Sequence, residues 1–388
     1  SQITTAADPY QPERLQLAIK TQGMTIVLDG NALGGQIGGM LEFRDRVLTP
    51  AQNELGRIAV GMATTFNQAH AEGMDLYGDM GTDFFNLGAP KVSAHSGNTG
   101  SATLTASYGD LAALDGQNIL LKYNGTGWEA TRADTGASVA MTGTGTAADP
   151  FVVNGVRFEV GGTPGLNDRF LLQPTGAAIT GLSVAITDPS RIAAANPIKA
   201  GADLANTGTG VLGKLDVLDA SDPALLNPAS IEFIDANQYT IDGAGPFTYT
   251  PGQAISANGW SLVLDGKPAA GDTFTIGKTG PGSSDNGNAS RLAGVEDAKA
   301  LSGGTVTLNG ALGGLTTQVG AAARSAEYSL QAQQVINDNA QAARDSVSGV
   351  NLDEEAADML RLQQAYQAAS QLISTAENMF QTILRAVG

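Results

Sequence analysis

The sequence predicts an α+β protein of several domains, in which both chain ends form a long helical rod or coiled-coil domain and antiparallel β modules are inserted between them. Three observations support this prediction. Apolar residues recur at helical spacing towards both ends, and short apolar runs separated by turn residues occupy the middle. One stretch of the middle region is also repeated.

The N-terminal part of the helical rod is assigned to residues 1–90. Met24–Leu28 has the composition of a strand. Apolar residues then recur every three or four positions, so we expect one long helix or two stacked helices from about residue 35 to residue 71. Residues 49–52, Thr-Pro-Ala-Gln, form a capping-box arrangement with proline at the first helical position, which predicts that a helix restarts there.

Residues 91–280 are predicted to hold two β modules of sandwich or barrel type. Short apolar runs indicate strands, and Asn124-Gly125 and Asn154-Gly155 indicate hairpin turns. Residues 154–170 align without gaps to residues 258–274 and share turn glycines, a proline, an aspartate and a phenylalanine. We therefore predict a first module at 91–196, a linker at 197–214, and a second, repeat-related module at 215–280 that is an insertion.

The C-terminal part of the rod is assigned to residues 281–348, followed by a terminal heptad helix for assembly at 349–388. The first of these segments has a loose apolar face formed by Leu312, Leu315, Val319, Tyr328, Val335 and Ile336. Asn351 and Glu354 have the spacing of a capping box, which predicts that the last helix begins at this point.

The terminal helix carries apolar residues at every seventh position from Leu352 onward, and a second apolar series follows three residues behind. The positions just before the first series are also apolar, so the face is wider than contact between two helices requires. We expect a shared interface with several helices, and the alternative is an ordinary intramolecular core. The predicted interface comprises Leu352, Met359, Leu362, Tyr366, Ala369, Leu372, Ile373, Ala376, Met379, Phe380, Ile383 and Val387.

Composition argues against several functional classes. The formal net charge of -17 disfavours binding to nucleic acid or to an anionic membrane surface. The absence of cysteine excludes disulfides, cysteine-based zinc sites and thiol catalysis. The chain has no apolar run of 18 residues, so no membrane insertion is expected.

No catalytic residues, cofactor or metal site are predicted. His70 is interpreted as a solvated residue or a helix C-terminal cap, and His95 as part of a Ser/Gly loop. The aspartates at 75, 79 and 83 and the Ser-Asp-Asn-Gly-Asn segment at 284–288 do not have calcium-loop spacing. Turn capping is the better interpretation of both groups.

Several of these segments resemble the FlgK family of flagellar hook-filament junction proteins. The C-terminal motifs are the most specific: GVNLDEEAA at 349–357, LQQAYQA at 362–368 and ISTAENMF at 373–380. Residues 34–59 and 73–76 resemble the inner rod domain of the family, and residues 154–189 resemble its outer domain. The resemblance covers most of the chain and implies a flagellin-like axial protein.

The resemblance implies a structural adapter, not an enzyme, that is exported through the flagellar apparatus and joins the hook to the filament outside the cell. Its expected partners are like subunits, the hook protein, the next junction protein or filament, and a dedicated export chaperone at the C-terminal helix. The family begins with a helix that pairs with the C-terminal helix, so we expect this sequence to be an N-terminally truncated fragment. The alternative function is a surface-exposed adhesive or ligand-binding module carried by the β repeats.

Overall fold

A computed structural model describes residues 2–28, 34–348 and 352–387. The chain has helices and several antiparallel sheets, which confirms the α+β class. It divides into two compact units, residues 1–319 and residues 320–388. No helix within the described ranges is both long and apolar enough to span a membrane.

The first unit begins with a three-stranded antiparallel sheet in the order β1-β2-β3. Its strands are β1 (Gln2–Ala7), β2 (Leu15–Thr21) and β3 (Met24–Val27). β3 confirms the strand predicted at residues 24–28, whereas β1 and β2 were not predicted. Gln22 and Gly23 form the tight turn between β2 and β3, and both have positive φ angles, 49° and 86°.

A long helical segment follows, in which α1 (Gly35–Phe43) leads through the π-helical residues Arg44–Leu48 into α2 (Thr49–Ala71). The predicted restart at residue 49 is wrong, because Thr49 has helical angles and its N–H donates to the Arg44 carbonyl, five residues back. Pro50 has no N–H for the carbonyl four residues before it. A widened turn before the proline accommodates that missing hydrogen bond without ending the helix.

The first β module consists of two antiparallel sheets with the strand orders β5-β11-β7-β8 and β6-β10-β9. A short ladder of β4 and β12 and the four-residue helix α3 accompany the sheets. Phe158, Ile119, Leu121 and Leu172 are among its fully buried side chains. The elements are β4 (Phe85–Asn86), β5 (Lys91–Ala94), β6 (Thr103–Tyr108), β7 (Ile119–Tyr123), β8 (Trp128–Arg132), β9 (Phe151–Val153), β10 (Val156–Gly161), β11 (Arg169–Gln173), α3 (Ala178–Gly181) and β12 (Ser183–Val184).

The second β module repeats this architecture with the strand orders β13-β20-β15-β16-β17 and β14-β19-β18. Strand by strand it matches the first module, with β17 added at one edge. Trp260, Phe233 and Phe274 are fully buried in its core. The strands are β13 (Ile198–Ala202), β14 (Val211–Val217), β15 (Ala229–Asp235), β16 (Gln238–Ile241), β17 (Ala244–Thr248), β18 (Ala254–Ala257), β19 (Trp260–Asp265) and β20 (Thr273–Lys278).

The prediction of a linker at residues 197–214 is wrong. β13 pairs with β20, and β14 pairs with β19, so these residues supply one strand to each sheet of the second module. They correspond to β5 and β6 of the first module. The gapless repeat begins later in the chain, at Asn258, and it therefore did not reveal that these two strands belong to the module.

The repeated hairpins keep the residues that their backbone requires. Asn154-Gly155 and Asn258-Gly259 all have positive φ angles between 43° and 78°, as the tight turns between β9 and β10 and between β18 and β19 demand. Gly155 has a second reason to be glycine, because a Cβ atom there would lie 2.3 Å from the carbonyl oxygen of Asp110. The hairpin turns predicted from sequence at these positions are confirmed.

One buried aspartate in each module, Asp168 or Asp272, accepts three backbone N–H groups. It thereby ties the loop that crosses between the two sheets, before β11 or β20, to the loop that follows β5 or β13. At Asp168 the Thr99 N–H is the largest influence that lowers the pKa of the carboxyl group, and burial opposes it. At Asp272 burial is the largest single influence and raises the pKa, but the three donors outweigh it and the pKa is lowered. The donors, at 2.8 to 3.0 Å, are Thr99, Gly100 and Gly165 in the first module and Thr207, Gly208 and Ala269 in the second.

Residues 192–196 connect the two β modules and cross the end of α2. Met74 N–H donates to the Ala195 carbonyl at 2.8 Å, and the buried Asn288 side chain donates to the Ala193 carbonyl at 2.7 Å. Gly73 fits this crossing because a Cβ atom there would lie 2.3 Å from the Ala193 oxygen. The connecting segment is therefore fixed by hydrogen bonds to elements on both sides.

The remaining helices are α4 (Gly287–Ala293), α5 (Leu308–Ser348) and α6 (Leu352–Val387). The first turn of α5 is anchored in the first unit, where Leu308 and Ala311 pack with Leu301 in a small apolar cluster. Asn351, the predicted N-terminal cap of α6, lies outside the described residues. In the second unit every described side chain from residue 323 to 346 and from 353 to 386 is exposed.

Candidate assembly surface

The predicted interface residues lie along α6. Leu352 and Val387 are its first and last residues, and their side chains lie outside the description. The predicted interface has eight large apolar side chains between these two residues, all 60–78% exposed, and its Ala369 and Ala376 are exposed as well. Their spacing of three, four and seven residues places them on one side of the helix. The eight are Met359, Leu362, Tyr366, Leu372, Ile373, Met379, Phe380 and Ile383.

Charge is concentrated at the two ends of α6. Asp353, Glu354 and Glu355 occupy its first turn, and Arg385 occupies its last, as the helix dipole favours. Between residues 359 and 384 the only charged side chains are those of Arg361 and Glu377. A central stretch of this length with two charges can be covered by another apolar surface at a small desolvation cost.

Two hydroxyl groups in the central stretch are already paired within the helix. Thr375 Oγ1 donates to the Gln371 carbonyl at 2.8 Å, and Thr382 Oγ1 donates to the Asn378 carbonyl at 2.7 Å. A side-chain hydroxyl that donates to its own helix needs no partner from a neighbouring molecule. These polar residues are therefore compatible with burial in a helix bundle.

α5 carries a second set of exposed apolar side chains that the sequence analysis did not assign to the interface. Tyr328, Leu330, Val335 and Ile336 are 59–68% exposed, a range close to that of the α6 side chains. Three of them belong to the loose apolar face noted in the sequence. Leu330 was missed because it is two residues from Tyr328 and breaks the helical spacing.

The prediction that His70 is solvated or caps a helix is wrong. The side chain lies in the last turn of α2 and is fully buried. Its Nδ1–H donates to the Thr82 carbonyl at 2.6 Å, and its Nε2 accepts the Ala193 N–H at 2.9 Å. His95 lies in a loop, where its Nδ1 accepts the Gly97 N–H. Both nitrogens of His70 are thus occupied by backbone groups.

The interpretation of the aspartates as turn caps agrees with the structure at Asp75 and Asp285, whose hydrogen bonds are described. Asp75 Oδ1 accepts the N–H groups of Tyr77 and Asp79, which is turn capping. Asp285 Oδ1 accepts the Gly287 N–H at the start of α4, as expected of a turn that enters a helix. Across the described ranges, no group of three or more His, Cys, Asp or Glu side chains could hold a metal ion.

Sequence models of flagellar proteins match three segments of the chain. The flagellar hook-associated protein FlgK helical domain matches residues 1–85, and the D2-like domain of flagellar hook-associated protein 1 matches residues 93–174. The C-terminal model of the flagellar basal body rod FlgEFG proteins matches residues 341–386. The last match covers most of α6.

Three similar proteins illustrate the match. Flagellar hook-associated protein 1 of Salmonella typhimurium is 27% identical over 351 residues, which cover 90% of this chain and 49% of the relative. The protein of that name from Escherichia coli K12 is 27% identical over 350 residues, with the same coverage. The chain thus spans about half the length of these curated relatives. The solved structure of the flagellar hook junction protein FlgK from Burkholderia pseudomallei is 30% identical, with a TM-score of 0.80 over 89% of this chain and 70% of that one.

Proposed function

The chain belongs to the FlgK family of flagellar hook-associated proteins, and we propose that it serves as a structural adapter that joins the hook to the filament by packing its long helices against those of neighbouring subunits. The observation that carries this proposal is the exposed apolar face of α6, which extends from Met359 to Ile383. Fully burying one such large apolar side chain contributes about 1.5–3 kcal/mol. Partner helices would therefore supply stability that a lone helix lacks.

The proposed domain organisation follows the predicted one with a single change. Residues 1–90 and 281–348 are the two parts of a helical rod built from both chain ends, and residues 349–388 are its assembly helix. The first β module keeps residues 91–196. The second begins at Ile198, because β13 belongs to its sheet.

The partners proposed for α6 are like subunits, the hook protein, the next junction protein or filament, and, before assembly, an export chaperone. The same exposed face suits both roles, because a chaperone and an assembled bundle would each remove it from water. The functional location is then the flagellum outside the cell, reached through the flagellar export apparatus. The long α6 face and the hook-associated names of the relatives support these assignments.

An adhesive or ligand-binding role for the β repeats is the weaker alternative. The matching relatives are named for hook association and hook junction, so they favour assembly. The same names favour a structural role over an enzymatic one.

The test compares Ile373→Asp with Gln371→Asp in the full-length protein, each introduced into the chromosomal gene of the source bacterium. Residue 373 lies on the apolar face and residue 371 lies on the opposite side of α6, so the two variants add the same charge to opposite faces. We expect Ile373→Asp to abolish or strongly reduce filament attachment and swimming, because a buried unpaired carboxylate is costly. Gln371→Asp should retain both. Equal motility and attachment in the two strains would contradict the helix-packing proposal.

A further inference from the structure

The loop after β5 in the first module and the loop after β13 in the second have the same hydrogen-bonded framework. In each loop an asparagine side chain exchanges two hydrogen bonds, of 2.8 and 2.9 Å, with the backbone of the residue that follows the buried aspartate. The pairs are Asn98 with Arg169 and Asn206 with Thr273. The residue two positions before each asparagine, Ser96 or Leu204, therefore presents its N–H in the same way.

In the first module this loop, together with β5, binds another part of the same chain, residues 8–14 between β1 and β2. The bound segment offers a carbonyl oxygen, an aromatic ring and a carboxylate, each to a different group of the module. The contacts are the Ser96 N–H with the Pro9 carbonyl at 2.9 Å, the His95 ring with the Tyr10 ring at 5.0 Å between centroids, and Lys91 with Glu13 at 3.6 Å. The site thus accepts a short loop that is both apolar and acidic.

The second module keeps the corresponding donor and cation but binds no segment of its own chain with them. The strand ladders match Lys199 to Lys91, and the loop framework matches Leu204 to Ser96. Leu204 is the most exposed of the large apolar side chains described, and Lys199 is exposed as well. In the described part of the chain, no acceptor faces the Leu204 N–H and no carboxylate pairs with Lys199. One exposed leucine is ordinary, but this one lies where the other module binds a loop.

We propose that the loop after β13, together with Lys199, binds a short acidic and apolar loop of a second copy of this chain. The inference rests on the proposed assembly, in which like subunits are neighbours. Charge favours a second copy, because the chain has 38 acidic and 21 basic residues and a neighbour therefore offers Lys199 more carboxylates than competing cations. Leu204 supplies the apolar contact that His95 supplies in the first module. One mode of contact then acts within a subunit at the first module and between subunits at the second.

The test places the photo-crosslinking amino acid benzoylphenylalanine at the position of Leu204 in the full-length protein, in cells of the source bacterium that produce two differently tagged copies. We expect a crosslinked product that carries both tags. The same amino acid at the position of Ser96 is the matched control and should give no such product, because residues 8–14 of its own chain are bound there. The proposal is overturned if the product with both tags is absent at Leu204, if only another protein is captured, or if the two positions give equal yields.

A third crosslinking position separates this inference from the proposed helix packing. Benzoylphenylalanine at the position of Met359, on the apolar face of α6, reports contact between the helices of like subunits. A product with both tags at Met359 but not at Leu204 would overturn the inference and leave the helix packing intact. Absence of the product at both positions would contradict the helix packing as well.

Charge reversal tests the acidic character of the bound loop. With the crosslinker at the position of Leu204, Lys199→Glu should lower the yield of the product with both tags by about fivefold, the effect of losing one exposed ion pair. Lys91→Glu is the matched control and should leave the yield unchanged, because the partner of Lys91 belongs to its own chain. Equal yields from the two variants would overturn the assignment of an acidic partner loop.

Discussion

The first and second β modules can be compared at four surface positions that correspond in their strand ladders. The first module has small or polar residues there, and the second has large, exposed apolar ones. The pairs are Ser96 and Leu204, Thr103 and Val211, Gly109 and Leu218, and Asn124 and Ile234. What the modules share are the residues that fix the backbone: the hairpin Asn-Gly pairs and the aspartates that accept three N–H groups. The same framework thus supports two different surfaces.

The largest expected effect comes from the phenylalanine that both modules keep. Phe170→Ala and Phe274→Ala should each destabilise the protein by about 3–5 kcal/mol, because each removes a buried aromatic ring and leaves a cavity. Urea unfolding measures the loss, and hydrogen exchange resolved by segment shows where it occurs. If the modules are independent copies, each variant loses protection in its own module only. Loss of protection in both modules from one substitution would show that they fold as a single unit.

An intermediate effect is expected at the hairpin glycines. Gly155→Ala should cost about 1–3 kcal/mol because of its positive φ, and the new Cβ would also lie 2.3 Å from the Asp110 oxygen. Gly259→Ala should cost somewhat less, since its nearest backbone oxygen, that of Asp219, would be 2.6 Å away. Gly277→Ala is the control, because no atom lies within 4 Å of its added Cβ. Thermal unfolding ranks the three; a ranking with Gly277→Ala as the most harmful would contradict the assignment of strain to the hairpins.

The smallest expected effect is on the pH dependence of stability, through the corresponding aspartates Asp168 and Asp272 of the two modules. The pKa values of Asp168 and Asp272 are lowered in the fold, so each carboxylate contributes stability that is present above the unfolded pKa of about 3.9 and is lost as the pH falls through the folded pKa. Asp168→Asn and Asp272→Asn should each flatten the stability curve in the acid range. Urea midpoints from pH 7 to pH 3 provide the measurement. A curve for either variant as steep as that of the wild type would show that its carboxylate does not contribute.

Sequence reasoning succeeded where a local pattern determines the structure. The turns at Asn154-Gly155 and the helix beginning at Leu352 follow from short-range rules of backbone conformation and periodicity. The linker error was avoidable, because Asn98-Thr99-Gly100 recurs as Asn206-Thr207-Gly208, and both tripeptides supply donors to the module aspartates. That repeat places the start of the second module near residue 198.

Other features required the folded chain. His70 looks like an ordinary residue at a helix end, and its Nε2 accepts the N–H of Ala193, which is 123 residues away in the sequence. β1 has a single large apolar residue, Ile3, and gave a weak strand pattern, whereas Leu15, Leu17 and Ile19 alternate in β2, a strand pattern that the sequence analysis overlooked. A long-range contact such as that between His70 and Ala193 leaves no periodic signal in either segment.

The π-helical turn at Arg44–Leu48 has a consequence for the orientation of side chains on either side of it. Each residue of an α-helix advances the side-chain direction by about 100°. One extra residue in a widened turn therefore shifts the directions of all later side chains by about that amount, relative to a regular α-helix of the same sequence. The helical segment therefore continues from α1 into α2 while the directions of its side chains depart from a regular α-helical pattern in the sequence. Deleting a single residue from this turn would restore regular α-helical hydrogen bonds there and leave Ile37 and Met40 facing the same way relative to the buried side of α2, because the widened turn already absorbs that residue.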